Sequence, residues 1–93
     1  METPKHLSQG CQRAFAEIVD RYEITPDGYL VLIGALENFD RYKQARRLVT
    51  REGIVRADGT RHPACAVEQS SYKLFIAGLR HLGLDAGDLS ALA

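Results

Sequence analysis

The stretch that decides the fold is TPDGYLVLIGALENFDRYKQARRLVTREG, Thr25 to Gly53. Thr25 can offer its side-chain oxygen to the free N–H groups at a helix start, and Pro26 suits the first helical position. Asp27 puts negative charge where the helix dipole favours it. No breaker follows except Gly34 until Gly53, which is expected to stop the helix in the left-handed conformation. The spacing predicts a helix over 26–52, about 40 Å long. That exceeds the usual globular length and points to an interhelical role.

Two apolar stripes run along this segment. Tyr29, Leu32, Ile33, Leu36 and Phe39 form one, and Val31, Ala35, Asn38, Tyr42, Ala45 and Val49 form the other. The first half is therefore apolar nearly all round, as in a buried helix. In the second half only the second stripe survives. Its residues are mostly small and recur with heptad-like spacing, so a neighbouring helix can approach closely there, and these residues are the candidate oligomer seam. Lys43, Arg46, Arg47 and Thr50 continue the first stripe with Arg51 beside them, and this basic face is expected to point away from the seam.

Outward from the long helix, residues 1–7 read as a flexible tail. Leu7, Cys11, Ala14, Phe15, Ile18, Val19 and Tyr22 recur at steps of three and four and predict a first helix over 8–22. After Gly53, Ile54 and Val55 favour strand and Asp58-Gly59 marks a tight turn, so 53–62 reads as a small β-ribbon or ordered loop. His62 is held out of helical conformation by Pro63, which opens a third helix over 63–82. Its main face carries Ala64, Tyr72, Phe75, Leu79 and Leu82, and Gly83 ends it. An acidic, apolar tail occupies 83–93. The expected fold is all-α in one domain, three helices with a helical hairpin and a small ribbon at the connector.

Composition narrows function. The 93 residues carry twelve basic and twelve acidic side chains, two cysteines and no Trp. Between Arg41 and Arg61, seven basic residues face two acidic ones, so this part is +5 and the remainder −5. Such polarity suits an anionic partner. Two cysteines without a signal-like start suggest a reduced, cytoplasmic protein. No apolar run reaches the ~18 residues of a membrane span. There is no phosphate-binding loop and no Gly-x-Ser-x-Gly elbow, and neither cysteine has the local setting of an activated thiolate. His62 and Cys65 are spaced like a ligand pair, but zinc sites usually need two such pairs, so no metal or cofactor is expected. The sequence points away from an enzyme.

The candidate nucleic-acid contacts are Lys43, Arg46, Arg47 and Arg51, since arginines along one helix face can bind phosphates. An ordinary solvated or subunit-pairing face is the competing reading. Glu37–Arg41 and Asp40–Lys43 have intrahelical pairing distances, but they leave Arg46, Arg47 and Arg51 unused. Arg13 and Arg21 are secondary candidates, on a possible helix-turn-helix made with the turn at 23–28. Arg56 and Arg61 on the connector are others. Asp58, Gly59, His62 and Pro63 read as shapers of a turn and a helix start.

Taken together, Glu52-Gly53-Ile54-Val55, Asp58-Gly59, His62-Pro63-Ala64 and Leu82-Gly83-Leu84 give an order and spacing similar to the core of phage terminase small subunits. The resemblance covers about residues 11–85 and assigns Gly53, Asp58, Gly59, His62, Pro63 and Gly83 to the shared structural pattern. It implies a non-enzymatic, ring-forming homo-oligomer in the host cytoplasm. Such a protein binds double-stranded DNA and regulates a large subunit that holds the packaging motor and nuclease. The source would be a phage, a prophage or a gene-transfer particle. The chain departs from the family where Asp85 to Asp88 replace a basic, Pro-containing tail, and in a short N-terminal segment. A structural adaptor binding a protein partner through the apolar seam, or a small transcriptional regulator, are the alternatives.

Overall fold

A computed structural model describes residues 2–84 and Leu89. Its described residues form three helices, α1 (Gln9–Arg21), α2 (Pro26–Glu52) and α3 (Ala64–His81), and no sheet. The molecule is elongated, 50 × 23 × 21 Å.

α2 begins and ends as its sequence dictates. The Thr25 hydroxyl accepts from Gly28 N at 3.1 Å, with Pro26 just inside the helix. Gly53 stops it with φ 88° and ψ 154°, outside the left-handed helical well and in a region that only glycine occupies freely. α3 ends in a complete Schellman motif. Leu84 N donates to Leu79 O and Gly83 N to Arg80 O, with Gly83 at φ 74°. Leu79 and Leu84 are both buried beside that cap.

α3 returns antiparallel along α2. Gly78 lies against Ala35, Phe39 meets Phe75 at 4.9 Å between centroids, and Tyr42 meets Tyr72 at 5.0 Å. The small-residue seam is thus filled by α3 of the same chain rather than left for a neighbouring copy. Ala35 and Ala45 are buried, and Val31, Asn38, Tyr42 and Val49 are half-buried. Smallness at Ala35 and Gly78 lets the backbones approach, which is what the seam does here.

α1 packs on α2 with its start beside Asp40 and its middle beside Tyr29. Cys11, Phe15 and Ile18 are buried there with Leu32 and Leu36. The segment before α1 is not a loose tail. Leu7 is buried, His6 Nε2 lies 3.0 Å from Glu37, and Ser8 N donates to Asp40 at 2.9 Å. Ser8 also caps α1 by accepting from Cys11 N. The cause is Asp40, which the Cys11 thiol reaches as well, at 3.2 Å. Burial pushes that thiol up to about 12, and the Asp40 carboxylate adds to the effect, so the sulfur stays protonated and donates.

The connector is shorter of sheet than expected. One antiparallel bridge, Val55 with Arg61, stands where a ribbon was anticipated. Only two backbone bonds cross it, Arg56 N to Thr60 O and His62 N to Ile54 O. The flanks are too short for more, and the turn spends its remaining polar groups locally: Asp58 accepts from both Thr60 N and Thr60 Oγ1. The acidic tail lies mostly outside the described residues, although Leu84 and Leu89 belong to the core cluster.

The two helix-interior glycines should respond oppositely to one methyl group. A Cβ on Gly78 would sit 2.8 Å from the Ala35 Cβ, whereas one on Gly34 would meet nothing within 4 Å. Gly34→Ala should raise stability by about 0.5–1 kcal/mol. Gly78→Ala should lower it by about 1–3 kcal/mol despite its better helix propensity. Urea denaturation of both variants checks this, and a stabilised Gly78→Ala would disprove the close approach.

Candidate nucleic-acid interface

The start of α1 reaches only to Asp40, so the last turns of α2 run beyond it, accompanied by the first half of α3. Lys43, Arg46, Arg47 and Arg51 are all exposed on this projecting part. They fan over an arc of the helix rather than opposing the seam. Arg46 lies next to the seam, and its Nη1 donates to the Tyr42 hydroxyl at 2.7 Å while the guanidinium sits 6.0 Å from the Tyr42 ring centroid. Lys43 Nζ lies 5.9 Å from the Phe39 ring centroid. These aromatic supports hold the cations out from the helix without neutralising them. The i,i+4 spacing of Tyr42 and Arg46 is the sequence signal for this support, carried by a residue that also belongs to the seam.

The acids expected to pair along α2 are drawn elsewhere. Glu37 turns to His6 and Asp40 to Ser8 and Cys11, while Arg41 reaches Asn38 Oδ1 at 3.5 Å. Arg47 and Lys43 border a cleft of about 430 Å³ between residues 6–8 and α2, whose α2 wall also carries Glu37 and Asp40. Arg51 is the one member of the arc with an ion pair among the described residues, Nη2 to Glu52 at 3.2 Å. Such exposed pairs contribute little and leave a cation free to exchange partners.

Arg56 and Arg61 flank the connector turn and stay exposed at the same end of the molecule as Arg51. Arg13 and Arg21 do not join them. They remain on α1, whose outward positions also carry Glu17 and Asp20, so the helix-turn-helix candidate shows mixed charge and no basic arc.

His62 locks the connector. Its Nδ1 accepts from Ala64 N at 3.0 Å and so caps α3 with a side chain. That leaves the proton on Nε2, which donates to Glu52 Oε1 at 2.9 Å. His62 is nearly covered, Glu52 half open. The His62 bond, followed by Arg51, holds the Glu52 carboxyl below its ordinary 4.5. His62 and Cys65 do not converge on a metal site. Both cysteines are free and buried, and the described residues hold no group of three or more potential metal ligands.

No described helix is long and apolar enough to cross a membrane. Compared with protein-family models, curated proteins and solved structures, the chain matches none.

Because Glu52 is held below its unfolded value, its contribution is present above pH ~4.5 and lost as pH falls through the folded value. Glu52→Gln should therefore be less stable than wild type near pH 6. The difference should shrink as pH falls through the folded value. Paired denaturation curves across that range test it, and a difference that persists unchanged in acid would refute the latch.

Proposed function

We propose that this protein is a non-enzymatic, DNA-binding oligomer of the terminase small-subunit kind, acting in genome packaging alongside a motor-bearing large subunit. One observation carries the DNA-binding half: four exposed cations, Lys43, Arg46, Arg47 and Arg51, lie on the part of α2 that projects beyond α1. Arg56 and Arg61 extend the positive charge at that end. Such an arc reads phosphate spacing rather than base sequence, and duplex DNA is the partner whose charge density matches it. The motif order supports the packaging half.

Subunit contacts need a surface other than the seam, which α3 fills. Leu30, Leu48, Val67 and Leu74 are exposed large apolar side chains outside the core and are available for it. For the same reason, an adaptor docking through the seam loses its binding surface.

If three or four phosphates are neutralised per subunit, the logarithm of duplex affinity should fall by about 3 per decade of salt. Arg46→Glu together with Arg47→Glu should weaken binding at least ~tenfold, since each phosphate contact is lost and replaced by repulsion. Fluorescence anisotropy with a labelled duplex measures both. A flat salt response, or unchanged binding by the double variant, removes the DNA-face reading. Light scattering that finds only monomer at micromolar concentration removes the oligomer.

A further inference from the structure

Beside the cationic arc lies an aromatic surface whose outer ring, Tyr72, supports neither Lys43 nor Arg46, which rest on Phe39 and Tyr42. Phe39 and Phe75 serve the helix–helix core, and Phe75 is 4% exposed. Tyr72 continues this aromatic ladder outward, with its ring 5.0 Å from Tyr42 and 6.2 Å from Phe75, yet it stays 44% exposed. A tyrosine braced by two rings and still 44% exposed is a constrained aromatic surface on which a flat ligand can stack.

An open cavity of about 560 Å³ fronts it, lined by Tyr42, Glu68, Gln69, Tyr72 and Lys73. The size falls in the range of small-ligand sites. Its chemistry is sorted. Tyr72 and Tyr42 supply π-faces. Glu68 and Gln69 supply acceptors and an amide donor for a base edge. Lys73 lines one side, and Arg46 is fixed against Tyr42. Glu68 disfavours a phosphate within the cavity itself, whereas Lys73 on its wall favours one beside it, and Arg46 is held against the Tyr42 ring that also lines it.

The geometry points to a site for an unpaired nucleobase: a base of a single-stranded nucleic acid stacks on Tyr72, its edge meets Glu68 and Gln69, and its flanking phosphates pair with Lys73 and Arg46. Stacking of this kind tolerates any base, and a carboxylate favours bases with an exocyclic amine. The inference goes beyond duplex binding and shares only Arg46 with it.

The test uses the full chain and a short labelled oligodeoxycytidylate, with an abasic strand of equal length as control. Wild-type protein should bind the cytidine strand about tenfold more tightly than the abasic one. Tyr72→Ala should abolish that preference while duplex affinity stays within about twofold, and Tyr72→Phe, which keeps the ring, should retain it. Because the chain has no Trp, Tyr72→Trp adds a single reporter whose fluorescence should be quenched by the strand. Running the ribocytidine strand in parallel shows which sugar the site takes, and a Tyr72-dependent preference in either supports the site. Equal binding of cytidine and abasic strands, or equal binding by wild type and Tyr72→Ala, overturns it. Charge reversal at Arg47 and Arg51 separates the two readings: if duplex binding survives it while the Tyr72-dependent preference is intact, the duplex face fails and the stacking site stands.

Discussion

The approach of Gly78 to Ala35 sets the geometry of everything around it. With no Cβ on Gly78, the α2 and α3 backbones come close enough for side chains further along to meet ring on ring. Phe39 then packs on Phe75 and Tyr42 on Tyr72. Aromatic pairs at such separations add about 0.5–1.5 kcal/mol each beyond their buried area. The same approach fixes where Arg46 and Lys43 project, because each rests on a ring of this ladder. Core packing and the charged surface thus share one set of aromatic side chains.

A second tie joins the other helix pair. Asp40 accepts from the Ser8 N–H and the Cys11 thiol, joining the start of α1 to the middle of α2. A carboxylate that takes such bonds is anchored in place, which is why it does not serve Lys43. Glu37 is likewise engaged by His6. By holding Glu37 and Asp40 at the N-terminal segment, the fold keeps them from pairing with Arg41 and Lys43, next to a stretch from Arg41 to Arg51 that carries no acid.

The connector joins these two helices without a sheet. Gly53 turns the chain out of α2, Asp58 closes the turn, and His62 holds Glu52 with one ring nitrogen while capping α3 with the other. A single imidazole therefore spans the end of one helix and the start of the next. Arg56 and Arg61 stay exposed on the connector between the two.

The sequence alone determined the three helices, because their signals are local: the Thr25 cap with Pro26, the glycine stops at Gly53 and Gly83, and apolar residues at steps of three and four. It placed the bounds of α2 at 26–52 and named the cationic arc, since four cations close together on one helix share a surface whatever packs behind it. What it could not decide was partnership. The small-residue seam is equally suited to α3 or to another copy, and only the folded chain shows that α3 takes it. The pairs Glu37–Arg41 and Asp40–Lys43 satisfied helical spacing, but stronger partners came from a segment more than thirty residues away. The Tyr42–Tyr72 platform had no sequence signal, because its two halves lie thirty residues apart and meet only through the antiparallel register of α2 and α3. Local rules fix where helices start and stop. Long-range register decides which of their faces remain open to a ligand.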